Sequence, residues 1–166
     1  MKQNHNLLAV TLVAFFLLFG FKTHAQQPRV VKWNDMEELL ARRTDTTYIV
    51  NFWATWCKPC VAEVPSFKKI AQNYATQKVR VVLVSLDFAK DFKTRVVPFA
   101  EKADIENLVV LLNEPDANAW INKIDPRWSG AVPATLVFNN RSRKRTFAEA
   151  QLTFDDLVQK IFEVSR

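Results

Sequence analysis

One stretch, Tyr48 to Gln77, changes its apolar period once, and that change limits what the chain can fold into. "YIVNFWA", Tyr48 to Ala54, is a β-rich run, and "CVAEVPSFKKIAQNYATQ", from Cys60, places Val61, Val64, Phe67, Ile70, Ala71 and Tyr74 at helical spacing. The order is strand, turn, helix, and "TWCKPC" occupies the turn. The chain has two cysteines, and only Lys58 and Pro59 separate them. A disulfide across so short a loop removes little chain entropy, so the pair reads as reactive and not as a staple.

The rest of the sequence alternates in the same way, which predicts a sheet with helices on its faces. "NDMEELLARR" reads as a short helix capped by Asn34 or Asp35, with arginines in its last turn. Arg80 to Phe88 is nearly continuous apolar sequence, expected of a central strand covered on both faces. A helical segment is expected from Phe92 to Ala103, then the apolar run "NLVVLL" and a helix from Asp116 to Ile124. "ATLVF" reads as a strand, Asn139-Asn140 as a turn and Lys144 to Ala148 as the return strand. Thr153 caps a closing amphipathic helix, "TFDDLVQKIFEV". No repeat or long linker marks a second domain, and 166 residues suit one core.

The N-terminus is set apart from this pattern. Lys2 precedes the apolar Leu7 to Phe21, and small or polar residues lead to a cleavage point after Ala25. This matches a secretory signal peptide over residues 1–25, with a folded domain over 26–166. The competing reading, an uncleaved anchor, needs a longer apolar run. Cleavage takes Lys2 and Lys22, so 21 basic residues face 17 acidic ones, a net charge of +4. It also removes His5, His24 and Gly20. No histidine then remains for a Cys-His dyad or a mixed zinc site, and one glycine, Gly130, cannot build a phosphate-binding loop. Two thiols alone do not make a structural zinc site, so no metal is expected.

"FWATWCKPC" followed by Glu63 and Pro65, with "VPATLVF" downstream, resembles the thioredoxin fold, and most of all the exported TlpA/ResA-like thiol-disulfide oxidoreductases. The resemblance covers residues 30 to 165. It implies an α/β thioredoxin fold, a central mixed β-sheet flanked by helices. "NLVVLL" and the helix after it resemble the strand-helix insertion of the TlpA-like branch.

The chemistry of the cysteines also follows from their position. Cys57, where the strand ends and the helix starts, has unpaired N–H groups and the positive helix end to stabilise a thiolate, and so reads as the nucleophile. Cys60, one turn on, reads as the resolving thiol. Lys58 adds positive charge and Pro59 fits the first turn. Trp56 is expected to shield the site at the surface, and Trp53 to belong to the core.

Glu63 lies three residues after Cys60, on its side of the helix. Spacing alone leaves it open whether this is a solvated first-turn acid or part of the site. The resemblance places the matching Glu beside the cysteines, where it tunes their protonation. Thioredoxins proper use a buried Asp six positions before the first Cys, and Asn51 there cannot take a proton. Pro65 is expected to kink its helix, as the fold's equivalent proline does. The resemblance further implies that Pro133, after Val132, is cis and packed against the disulfide, with the adjoining backbone free to hold an extended substrate segment.

The expected function is exchange between a Cys57–Cys60 dithiol and disulfides of protein substrates, in the reducing direction by resemblance to proteins serving cytochrome c maturation. No cofactor beyond that disulfide is expected. The expected partners are protein thiols and disulfides and a membrane electron donor, and the protein is expected to be periplasmic and monomeric. Membrane attachment follows only if the signal segment is retained. Other readings are an oxidant or isomerase, a peroxiredoxin-like peroxidase and a copper- or partner-binding module. The second wants Thr-x-x-Cys, whereas Ala54 holds that offset. The third wants His or Met near the thiols, and Met36 is the methionine left after cleavage. The basic run Arg141, Arg143, Lys144, Arg145 reads as a solvated face, not a nucleic-acid site.

Overall fold

The computed structural model describes residues 27–165, so the expected signal segment, residues 1–25, lies outside the described residues. In chain order the elements are β1 (Arg29–Val31), α1 (Trp33–Ala41), β2 (Thr47–Trp53), α2 (Lys58–Asn73), β3 (Val79–Ser85), α3 (Val97–Ala103), β4 (Val109–Leu112), α4 (Ile121–Ile124), β5 (Ala134–Asn139), β6 (Lys144–Ala148) and α5 (Phe154–Ser165). The six strands form one mixed sheet in the order β1-β4-β3-β2-β5-β6. β1, β4, β3 and β2 run parallel; β5 is antiparallel to β2, and β6 to β5.

β2 is buried at all seven positions, and its two sets of alternating side chains enter two different cores. Ile49 and Trp53 face the core built with Val64, Phe67 and Ile70 of α2 and Leu157, Ile161 and Val164 of α5. Tyr48, Val50 and Phe52 face the other, with Trp33 and Met36 of α1 and Trp120, Ile124 and Trp128. β3 is also an interior strand, as its apolar run implies. It stops at Ser85, because Asp87 turns its carboxylate back to Ser85 Oγ (2.8 Å).

Several boundaries differ from the sequence reading for identifiable reasons. α1 starts one residue before Asn34, since burying Trp33 and Met36 sets the helix face. Lys32 is the cap position, and Asp35 accepts from the Lys32 N–H at 2.8 Å. The arginines fall outside the helix, with Arg42 at its C-cap. The segment before α3 is a 3₁₀ turn (Ala89–Asp91) and a π turn (Phe92–Val96). The helix expected from Asp116 is broken into a 3₁₀ turn (Ala117–Ala119), which Asp116 caps, and the four-residue α4. Asn139 stays in β5 and its side-chain oxygen accepts from the N–H groups of Arg141 and Ser142, so the chain reverses through residues 140–143, with Arg143 at φ 57°. Pro65 lies inside α2 and does not end it. Thr153 caps α5 as expected: its hydroxyl accepts from Asp156 N–H at 3.2 Å.

Of the α2 side chains packed against the sheet, Phe67 is the largest that is fully buried. Phe67→Ala is expected to cost about 3–5 kcal/mol, whereas Phe162→Ala, on the exposed face of α5, should cost under about 1 kcal/mol; denaturant unfolding of the oxidised protein measures both.

Candidate active site

The end of β2 delivers the chain into a tight loop, Ala54 to Trp56, before α2 begins. Two backbone bonds bracket this loop: Leu86 N–H to the Trp53 carbonyl at the end of β2 (2.8 Å) and Cys57 N–H to the Ala54 carbonyl (3.1 Å). Cys57 is the cap residue of α2, and the Cys60 N–H points at its Sγ at 3.3 Å, so the helix start presents an amide donor to that sulfur. Cys57 and Cys60 are joined as a disulfide. Cys60 is fully buried and Cys57 nearly so. Lys58 and Pro59 are exposed beside them, and Trp56 is 60% exposed, while Trp53 is fully buried.

Glu63 is buried, which excludes the solvated first-turn reading. Its Oε1 accepts from Asn51 Nδ2 at 2.7 Å and its Oε2 from the Leu152 N–H at 2.8 Å. Burial pushes its pKa up to about 7, and the two hydrogen bonds oppose that rise without cancelling it. Asn51 cannot itself take a proton, but it is not a bystander. It shares the α2-facing side of β2 with Ile49 and Trp53, and its amide bridges Glu63 and Thr135 Oγ1 (3.0 Å), its paired residue on β5.

The β5 entry loop closes the site from the other side. Val132-Pro133 is cis, Pro133 is buried, and the Val132 carbonyl lies 3.6 Å from Cys57 Sγ. The Val132 N–H has no hydrogen-bond partner among the described residues. The structure therefore brings Cys57, Cys60, Glu63, Val132 and Pro133 to one end of the sheet, with Trp56, Lys58 and Pro59 at its surface. The basic run lies away from them, in the turn from β5 into β6 and at the start of β6, beside the other end of β5. There Arg141 pairs with Asp45 (3.2 Å) and the Arg145 guanidinium donates to the Ile124 carbonyl.

Sequence reasoning missed Asp87. It is buried, and it accepts from Thr55 N–H (2.9 Å) and Thr55 Oγ1 (2.6 Å), tying the loop before Cys57 to the end of β3. An acid closing an otherwise apolar strand was the available signal. Among the described residues no cluster of three or more His, Cys, Asp or Glu side chains could hold a metal ion.

Comparison with known proteins places this geometry. The chain is 29% identical over 113 residues to the thioredoxin-like protein YneN of Bacillus subtilis, covering 68% of this chain and 62% of that protein's length. It is 24% identical over 131 residues to the thiol-disulfide oxidoreductase ResA of Geobacillus thermodenitrificans, covering 77% of this chain and 70% of that one. A DsbF homologue from Corynebacterium diphtheriae superposes with a TM-score of 0.60 at 21% identity, over 75% of this chain and 76% of the other, which shows a shared thioredoxin-like fold. A model of the AhpC/TSA family matches residues 21–143, and with the Cys57–Cys60 disulfide at the head of α2 the chain belongs to that family.

Proposed function

We propose that the protein is a thiol-disulfide oxidoreductase acting on protein disulfides, with Cys57 as nucleophile and Cys60 as resolving thiol. The observation that carries this reading is the Cys57–Cys60 disulfide at a helix N-terminus, beside a backbone whose Val132 N–H is unpaired. The reaction runs in two exchanges. The Cys57 thiolate attacks one sulfur of a substrate disulfide and the other leaves as a thiolate, which takes a proton from water. Cys60, once deprotonated, attacks Cys57 Sγ, and the second substrate sulfur leaves as a thiol. Two electrons have passed to the substrate, and the protein holds the disulfide. A dithiol donor on the membrane returns the pair to its reduced state.

Glu63 is the proton acceptor for Cys60 in this scheme: it sits one turn along α2, is as buried as Cys60 itself, and its pKa near 7 suits accepting and returning a proton at neutral pH. Val132 and Pro133 form the docking edge, where an extended substrate segment pairs with the Val132 main chain. Trp56 covers the approach, and Lys58 and Pro59 support the Cys57 thiolate and the first helical turn. Reduction is the proposed direction and the periplasm the proposed location. These rest on the resemblance to TlpA/ResA-like proteins and on the signal-like residues 1–25; no described helix is long and apolar enough to cross a membrane. The protein works as a monomer and needs no cofactor beyond its own disulfide.

Cys60→Ser should accumulate mixed disulfides with protein substrates, and Cys57→Ser should abolish exchange; non-reducing electrophoresis reads both, and equal trapping by the two variants reverses the role assignment.

For Glu63 the folded pKa lies above the unfolded one, so its contribution to stability is fully present below the unfolded value and is lost as pH rises through about 7. Between pH 5 and 8 the oxidised wild type should therefore lose on the order of 3 kcal/mol that Glu63→Gln does not lose, measured by denaturant unfolding at each pH. The same variant should slow release of the mixed disulfide and remove the pH dependence near 7 from that step. Superimposable pH profiles would return Glu63 to a purely structural role.

A further inference from the structure

The docking edge is not held by its own turn alone. β6 returns beside β5 with Thr135 opposite Ala148, so Glu149, the next residue, is carried to the loop that enters β5. Its Oε2 accepts from the Ser129 N–H at 3.0 Å. Its Oε1 accepts from the Ser129 hydroxyl and, at 3.3 Å, from the Ala131 N–H. Ser129 Oγ also accepts from the Ala131 N–H at 3.3 Å. Across the loop, Trp128 Nε1 donates to the Ala131 carbonyl at 2.8 Å, and the Trp128 ring is fixed against Phe52 and Trp120. Both main-chain polar groups of Ala131 are thus consumed in holding the loop. Of the next residue, Val132, the carbonyl lies against Cys57 Sγ and the N–H has no partner among the described residues.

We propose that Glu149 is a positioning residue for substrate docking: its carboxylate clamps Ser129 and Ala131 so that the Val132 main chain is presented as a ready-made pairing edge for an extended substrate segment. Hydrogen bonds from three donors hold the carboxylate below its usual pKa, so the clamp is charged at neutral pH. Ser129 and Glu149 are both exposed, so the clamp adds little to the core. Its value lies in fixing a loop that follows Gly130, which adopts φ +94° and would otherwise let the chain swivel. Pre-ordering the edge lowers the entropy cost of pairing a substrate strand there. A small disulfide that reacts at Cys57 without pairing gains nothing from it.

This proposal rests on the oxidoreductase reading, and the test keeps the two apart. Reduced wild type, Glu149→Ala and Glu149→Gln are compared on insulin, a protein disulfide, and on hydroxyethyl disulfide, while hydrogen exchange follows the Ser129 and Ala131 amides. Glu149→Ala should lower the insulin rate about fivefold, through KM, and raise exchange at both amides by a similar factor, with the hydroxyethyl disulfide rate unchanged. Glu149→Gln, which keeps an acceptor and no charge, should fall between. Equal loss on both disulfides, or unchanged insulin rates with unchanged amide exchange, overturns the clamp. A wild type inert toward both disulfides sinks the oxidoreductase reading instead, and the exchange rates of Ser129 and Ala131 then decide the clamp by themselves.

Discussion

Everything at the site depends on β2 being buried on both faces. Its outward alternation is committed at every position, so a slip of one residue would exchange the Ile49/Trp53 set with the Tyr48/Val50/Phe52 set and lose both cores. A strand held that firmly fixes where it ends, and hence where α2 begins. Phe67 and Ile70 then hold the axis of α2 against the sheet, so the helix end that faces Cys57 Sγ cannot drift. Cys57 ends a loop of few residues and Cys60 lies in the first turn of α2, and each side of that junction is anchored in close-packed core.

The buried carboxylate of Glu63 works against that core. Placing an acid among apolar side chains is unfavourable, and the rise of its pKa to about 7 measures how strongly its charged form is resisted. Two donors keep it tolerable: Asn51 from the sheet and the Leu152 N–H from the segment before α5. The β2–α2 unit and a segment 89 residues further on therefore meet on one side chain. With an Asp at position 51, two acids would compete for the same space. With Asn there, the position supplies a donor and leaves proton transfer to a single group.

How much of this could be read from the sequence follows from how local each signal is. β2, α2, β3, β5 and β6 announce themselves by period and by turn residues, and the return strand matches Lys144–Ala148 to the residue. β1 is silent in the sequence, because three residues with Val31 alone buried leave no pattern. The break in the helix at 117–124 has no sequence signal, since four residues of helix around Trp120 and Ile124 are set by what those side chains bury and not by propensity. At the site, the cysteines and Pro133 carry strong local motifs. The burial of Glu63 could be inferred only through resemblance; Asp87 left one local trace, an acid closing an apolar strand, but its partner Thr55 lies 32 positions away, and the Glu149 contacts, 18–20 positions apart, left none.

β6 is the last strand of the sheet, and one side of it has no neighbour among the described residues. An unpaired strand edge is a template on which another chain can extend the sheet. Here Lys144 and Arg145, both exposed, open the strand, and Arg143 turns the chain into it through a left-handed backbone that no continuing strand could follow. A strand added at this edge would have to crowd and desolvate these two charged side chains, which disfavours the pairing. The basic run thus has a physical consequence that involves no ligand: it makes the open border of the sheet a poor template for a further strand.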